Sequence, residues 1–598
     1  LSPNNDIPQF HHTKPAQLLY NPLPRISFLS GLGVLLFLGL IFQLYNKQVI
    51  NYGYYSALAK KQQTSQITDQ AQRGRIYVHD KMAGNYGVET IDTEKEFHPV
   101  AINVERYDVM VVPKNVSDKE NCAKKLSELL GIDYKILLEG INNDKLYIPP
   151  IAKKVDKELA QKISDLNITG VLTMPVWVRN YPEGESAAQI IGFTNSDNIG
   201  AYGIERYYNS ELTGVPGVIS GTTDTTGKMI SIEDQSTPQD GIDLVLTIDS
   251  SAQYIVEQEL KEAIEKYGAT GGSIIVAEPD SGRIIAMASS PSYDPNTYNE
   301  VPETEQWKFV NPSVTNVWEP GSIFKPIIVA AALDAGLIEP ETKPEIPFQN
   351  YVTVDGYDIH NSQDKSYGYE TMTQVLENSD NVGMIWIANK LGNETMGQYL
   401  ENFGFGSKTG IDVEAESSGQ LADSETWRNV NRATISFGQG ISTTAIQMVA
   451  AYCAIANGGT LVKPHLLDMI ISSTGETKEI ESTEIRQVLK AETVPKIRDM
   501  LVSVVVNGHG KKAAVSGFKV AGKTGTAQIA KTDGSGYEED AHIGSFIGFA
   551  PADDPKFVML VKLDRPSAVE WAESSAAPTF GEIAKWLLTQ YYNLPGDV

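Results

Sequence analysis

Asn311-Pro312-Ser313-Val314-Thr315-Asn316-Val317-Trp318-Glu319-Pro320-Gly321-Ser322-Ile323-Phe324-Lys325-Pro326 is the stretch on which the reading of this chain turns. Within it, Ser322-Ile323-Phe324-Lys325 sets a hydroxyl and an amine three residues apart. The largely apolar run from Ser322 to Leu337 predicts a helix starting at or just before the serine, with Gly321 as the breaker and Pro326 tolerated in the first turn. On a helix the serine and lysine share one face, one turn apart. Two further strings follow in order, Ser379-Asp380-Asn381 and Lys523-Thr524-Gly525-Thr526, at separations that fit one folded domain.

A serine hydroxyl is a poor nucleophile until a neighbouring group takes its proton. Lys325 serves as that base only when neutral, and burial together with a second cation, Lys523, pushes an ammonium pKa down. Ser379 can relay a proton between Lys325 and a leaving group, and Asn381 can hold a substrate amide. A serine at a helix N-terminus faces partial positive charge and free N–H groups, which favour an oxyanion. The backbone N–H groups of Ser322 and Thr526 are the candidate donors. Phe518 to Ala521 reads as an edge-like strand leading into Lys523-Thr524-Gly525-Thr526. There Gly525 leaves room for a substrate backbone added to the sheet edge, and Lys523 with the Thr524 and Thr526 hydroxyls suits a terminal carboxylate. Together these groups form a toolkit for attacking an amide next to a carboxylate. Each string alone is common: S-D-N can be a turn and K-T-G a strand end. Their ordered co-occurrence is what carries weight. The eight histidines form no metal-ligand spacing, so His360, His465, His509 and His542 are expected to be structural, with no metal or cofactor.

S-x-x-K, S-D-N and K-T-G are shared by class A β-lactamases and penicillin-binding proteins. The chain resembles the class B penicillin-binding proteins, the single-function peptidoglycan transpeptidases. Asn311 to Pro326 is similar to their nucleophile region, and Ser436-Phe437-Gly438-Gln439-Gly440 and Lys463-Pro464-His465 to later catalytic-domain segments. Arg73-Gly74-Arg75-Ile76, Tyr181-Pro182-Glu183-Gly184 and Gly203-Ile204-Glu205 resemble the N-terminal module. Asn378-Ser379-Asp380-Asn381-Val382-Gly383 is closer to the division (septal) enzymes than to the elongation enzymes. The chain departs from the family where a short D-R-x-G turn usually follows R-G-x-I: here Lys81-Met82-Ala83-Gly84-Asn85 stands instead.

The resemblance implies a D,D-transpeptidase that cross-links peptidoglycan stem peptides through an acyl-enzyme on Ser322 and is covalently inhibited by β-lactams. Implied partners are the cytoplasmic membrane, a membrane-embedded glycan polymerase and other division or elongation proteins, with no nucleic acid. The rivals are a carboxypeptidase or β-lactamase that finishes with water, and a non-catalytic sensor or division scaffold. A class A β-lactamase needs a deacylating carboxylate in a Glu-x-x-Leu-Asn pattern. The near match, Glu425-Thr426-Trp427-Arg428-Asn429, has Arg428 where leucine belongs and reads as a solvated helix end.

The fold class implied is α/β: a β-lactamase-like transpeptidase domain with a mostly antiparallel sheet flanked by helices and a helical subdomain. An elongated mixed α/β pedestal and one transmembrane helix precede it. The expected boundaries are a cytoplasmic tail at 1–25, a membrane helix at 26–45, the pedestal, a dimerisation or partner-docking module, at 46–243, and the transpeptidase domain at 244–598. Ile26 to Leu44 is free of charge and just long enough to cross a bilayer. The nearest A-x-A, Ala57-Leu58-Ala59, lies too far downstream for signal cleavage, so an uncleaved anchor is expected. Lys14 and Arg25 on one side and Lys47, Lys60 and Lys61 on the other leave orientation to be set by the substrate, which lies outside the cytoplasmic membrane. No glycosyltransferase domain precedes the pedestal in this reading, and no wall-binding module follows the last helix. A formal net charge of −26 argues against nucleic acid or an anionic lipid surface as ligand and suits a solvated acidic surface. Cys122 and Cys453 fall in different predicted domains, which excludes a disulfide scaffold.

Overall fold

A computed structural model describes residues 23–69, 71–83, 97–143, 148–223, 229–531 and 536–596. Most of the expected cytoplasmic tail and the departure at Gly84-Asn85 lie outside the described residues. The chain divides into two units, Leu1–Gln70 with Pro216–Pro238, and Ala71–Val215 with Gln239–Val598.

In the first unit a helix runs over Leu23–Tyr45, continues through a π-helical turn, Asn46–Ile50, and is followed by a second helix, Tyr52–Gln63. At 1.5 Å per residue its 23 residues reach ~34 Å, enough for a hydrocarbon core. Phe28, Leu35, Phe37, Leu40 and Phe42 are all exposed, so among the described residues no protein surface covers them. Ile26–Ile50 is long and apolar enough to cross a membrane. Thr64–Asp69 pairs antiparallel with Gly217–Thr223, and that strand with Met229–Gln235, to form a small sheet.

In the second unit, a five-stranded antiparallel sheet carries the Lys523-Thr524-Gly525-Thr526 motif. Its strands are β1 (Gly271–Ala277), β2 (Ile284–Ser290), β3 (Ala521–Ala530), β4 (Tyr537–Ala550) and β5 (Phe557–Asp564), in the order β2-β1-β5-β4-β3. Side chains alternate between faces along a strand, and here both faces are covered. Ile274, Val276, Met559 and Val561 pack with helices Ser250–Tyr267 and Ala576–Trp586. Ile275, Val558 and Leu560 join the core of α1 (Lys325–Asp334) and α3 (Ala445–Ala456) on the other face. This is why β1 and β5 read as continuous apolar runs rather than alternating ones. Between those helices in sequence lies α2 (Asn381–Asn402), interrupted at Gly392, where φ is +73°.

The edge-like strand read over Phe518 to Ala521 begins only at Ala521. Gly517, at φ +81°, makes a turn in which Phe518 N donates to Val515 O at 3.1 Å, so Lys523 to Thr526 lie inside the strand rather than after it. The last helix is α-helical over Ala576–Trp586 and then passes into a π-helical turn, Leu587–Tyr591.

A second sheet holds the N-terminal module. Its path is Thr477–Glu479, Leu467–Ile471, Asp243–Asp249, Ile76–His79, Phe97–Val111 and Ala152–Val155, with Val171–Asn180 also on Phe97–Val111. Leu244 to Asp249, read from the sequence as opening the catalytic domain, thus lies between Ile76–His79 and a strand from much later in the chain. The three upstream motifs meet at one buried carboxylate. Arg73 Nε and Arg179 Nε each reach Glu205 at 2.6 Å, and Tyr181 OH donates to Glu205 at 3.3 Å. Gly74 is required here, because an added Cβ would lie 1.8 Å from Ile242 O.

Candidate active site

The nucleophile turn is built before it is filled. Gly321, at φ +58°, opens a 3-10 turn over Gly321–Phe324, and α1 begins at Lys325 with Pro326 in its first turn, as Pro requires. The predicted helix therefore starts as a tighter turn and ends earlier, at Asp334, with Gly336 in the left-handed region. Gly438 of the Ser436–Gly440 segment lies directly against this turn: Gly321 N donates to its carbonyl at 3.0 Å, and a Cβ at 438 would lie 2.2 Å from Gly321 O. From α3, the buried Tyr452 OH donates to Ile323 O at 2.7 Å. The turn is thus held from two sides.

The Ser379 motif sits at the N-terminus of α2, where Asp380 accepts from Gly383 N at 3.0 Å and Asn361 Oδ1 accepts from Asn381 N at 2.8 Å and Val382 N at 3.1 Å. Ser379 itself has φ +55°. This turn carries Ser379 and Asn381 onto the lysine. Lys325 Nζ donates to Ser379 O at 2.6 Å, to Asn381 Oδ1 at 2.8 Å and to Ser379 Oγ at 3.1 Å. Ser379 Oγ lies 3.0 Å from Ser322 Oγ. Serine and lysine are linked here through Ser379. Asn381 Nδ2 donates to His360 O at 3.0 Å, which fixes the amide so that its oxygen faces the lysine.

Lys325 and Lys523 are both 0% exposed. Burial, and then the charge of Lys523, holds the Lys325 ammonium well below its usual range, while Asp380 opposes. Burial brings Lys523 down to about 7, against an opposing pull from Glu573. Lys523 does not reach the cavity wall, where the sequence reading set it against a carboxylate; its Nζ donates to Thr524 O at 3.1 Å, beneath the wall. Strand alternation explains this: Lys523 and Gly525 point inward, and Thr524 and Thr526 line the cavity. Gly525, read from the sequence as room for a substrate backbone, instead faces Ile323 Cγ2 and Ser545 Oγ, each 2.9 Å from where its Cβ would be. It lets the strand close on the nucleophile turn. The outer edge of β3 has no neighbouring strand among the described residues, so its backbone is free to take an extended chain.

The cavity in front of Ser322 measures about 230 Å³. Ser322, Ser379, Asn381, Thr524 and Thr526 line it, joined by groups that no motif announces: Lys365, Tyr367, Trp571 and the hydrogen-bonded pair His509–Glu573, 2.9 Å apart. His509 therefore belongs to the site wall rather than to the structural set. His360 bonds Asp364 at 2.7 Å and His465 is buried beside Lys463 O. Glu425 is exposed, in a 3-10 turn over Ser424–Thr426, and is not on the cavity wall. Among the described residues no cluster of His, Cys, Asp or Glu is arranged to hold a metal ion. Cys122 and Cys453 are free thiols, both buried.

An antiparallel sheet whose edge strand carries K-T-G beside a serine, a second serine and a buried lysine defines a penicillin-interacting serine acyltransferase. Residues 272–585 match the family described as the penicillin binding protein transpeptidase domain, and residues 68–246 match the penicillin-binding protein dimerisation domain. The chain belongs to the class B penicillin-binding protein transpeptidases, which join those two modules. It is 35% identical over 574 residues to Stage V sporulation protein D of Bacillus subtilis, covering 94% of this chain and 85% of that protein. It is 31% identical over 500 residues to peptidoglycan D,D-transpeptidase FtsI of Escherichia coli, covering 82% of each. The crystal structure of penicillin binding protein 3 from Mycobacterium tuberculosis complexed with aztreonam superposes with a TM-score of 0.68 at 25% identity, over 89% of this chain and 98% of that one.

Proposed function

We propose that this protein is a membrane-anchored serine D,D-transpeptidase of the division type that cross-links peptidoglycan stem peptides. The observation that carries the reading is the hydrogen-bonded path from Ser322 Oγ through Ser379 Oγ to a buried Lys325 Nζ. Two of the three partners of Nζ, Ser379 O and Asn381 Oδ1, can only accept. A neutral Lys325 must therefore aim its lone pair at a hydroxyl, and Ser379 is the one in reach. Ser322 Oγ forms a bond to the carbonyl carbon of the penultimate D-Ala while its proton passes to Ser379 and Lys325. The C–N bond to the terminal D-Ala breaks, and the proton returns to the departing amine. A second stem's amine then attacks the ester, and Ser322 regains its proton as it leaves. Thr524 and Thr526 face the substrate with their hydroxyls, and Lys523 acts from beneath as the cation that favours neutral Lys325. The N–H groups of Ser322 and Thr526 are the oxyanion donors in this reading.

The exposed apolar helix supports a membrane span over residues 26–45, with the residues before it on the cytoplasmic side. An N-terminal module to about residue 243 for partner docking and an extracytoplasmic catalytic domain from 244 complete the proposed layout. A membrane-embedded glycan polymerase is the expected partner, since cross-linking needs newly made strands. The hydrolytic alternative lacks support: Glu425, the candidate water-activating carboxylate, is exposed and away from the cavity. The purified ectodomain should form a long-lived adduct with a fluorescent penicillin, located on Ser322 by mass spectrometry and abolished in Ser322→Ala. Labelling that persists in Ser322→Ala sinks the nucleophile assignment; fast turnover lost on Glu425→Ala favours the hydrolase.

A further inference from the structure

Ser379 stands in the left-handed region, where residues other than glycine are uncommon and need support from their surroundings. Glu370 touches both residues that flank it. One carboxylate oxygen, Oε1, accepts from Asn378 Nδ2, and the carboxyl group also lies within hydrogen-bonding reach of the Asp380 carboxylate. Glu370 is 5% exposed and Asp380 0%. Glu370 Oε2 and Asp380 Oδ2 are both buried, and neither meets an N–H group among the described residues. Two facing carboxylate oxygens in such a place repel unless a proton lies between them.

The proton belongs on Glu370. Asp380 has the groups that favour its charge: the Gly383 and Val382 N–H groups, Asn361 and Lys325. Among the described residues Glu370 has only Asn378 in that role. Burial, reinforced by the charge of Asp380, raises the Glu370 carboxyl to about 7.

We propose that Glu370, as a neutral carboxylic acid, is a positioning residue that donates to Asp380 and accepts from Asn378, so clamping both flanks of Ser379 and sparing Lys325 a second nearby negative charge. This rests on the Ser322–Ser379–Lys325 reading above. The charged and titratable groups around the pair are Lys325 at the start of α1 with Lys523 of β3 beside it, Tyr367 and Glu377 from the segments flanking Glu370, and the His509–Glu573 pair across the cavity. When rising pH removes the shared proton, Glu370 gains a charge, the contact to Asp380 becomes repulsive, and Lys325 is held more firmly as an ammonium ion. Fewer molecules then carry the neutral base. A glutamine keeps one donor and one acceptor but never ionises.

The test is the second-order rate of Ser322 acylation by a fluorescent penicillin, compared between wild type, Glu370→Gln and Glu370→Ala from about pH 6 to about pH 9, a range spanning the loss of the shared proton. The ratio of the Gln variant to wild type should be near one at the acid end and rise several-fold towards the alkaline end. Taking a ratio cancels the titration of Lys523, which both proteins share. Glu370→Ala, which frees both flanks, should fall by ~10²-fold at every pH, the scale of a small misplacement of a catalytic group. A ratio flat with pH, or a Gln variant as impaired as the Ala variant, overturns the proposal. If Glu370→Ala does not fold, the Gln profile decides alone, with a thermal melt matching wild type as its control. No labelling of wild type at any pH overturns the transpeptidase reading itself, and this inference with it; labelling with a flat ratio overturns the inference only.

Discussion

Lys325 has no solvent-facing atom and yet must exchange a proton, and its three partners divide the work. Ser379 O and Asn381 Oδ1 hold the amine in place, and Ser379 Oγ is the only one through which a proton can pass. An arginine keeps the charge but does not lose its proton, and its planar fork does not fit a site built for a point donor. Lys325→Arg should therefore lower the acylation rate by ~10²–10⁴-fold, the usual worth of a general base. Stopped-flow measurement with a chromogenic β-lactam checks this, and near-normal acylation would make Lys325 a fixed charge only. The motif residues were legible in the sequence because the chemistry restricts which side chains can serve. Glu370, Tyr452 and Asn361 were not. Each is a single polar residue whose role exists only because the backbone folds it onto Asn378, Ile323 or the α2 N-terminus, a placement that spacing alone does not announce.

At the scale of elements, the site depends on how closely β3 approaches the nucleophile turn. A methyl group at Gly525 would press on Ile323 and Ser545 at 2.9 Å. Gly525→Ala should cost ~1–3 kcal/mol of stability as an overpacked contact. It should also slow acylation, because relief comes from moving Ser322. Denaturant unfolding and labelling rates, measured together, check the pairing of the two effects; a variant less stable but fully active would separate them. The sheet strands were readable as apolar runs because helices cover both faces. The start of β3 was misplaced because Phe518 and Val520 carry strand-like side chains while Gly517 sets a turn, and local pattern does not register that backbone conformation.

At the scale of the molecule, the N-terminal module is pinned by a carboxylate shared between two buried arginines. Glu205→Gln would leave Arg73 and Arg179 without a counter-charge in a buried site. A loss of ~3–5 kcal/mol is expected, as for other buried pairs deprived of one partner. The acylation rate per folded molecule should stay near wild type, since no atom of this cluster lines the cavity. Chemical denaturation alongside active-site titration measures both. The sequence placed these three motifs in one module, but their meeting at Glu205 is a long-range arrangement that spacing does not encode.

Leu467–Ile471 pairs with Asp243–Asp249, which in turn runs parallel to Ile76–His79. The chain thus returns, some two hundred residues after leaving it, to lace itself into the sheet it began. In mechanical terms the N-terminal module and the catalytic region are stitched rather than hinged. Tension drawn along these strands loads their hydrogen bonds side by side in shear, not one after another. A backbone nick near residue 250 would leave both pieces held together, and a fragment starting beyond it would bare Leu467–Ile471 as an unpaired edge open to aggregation.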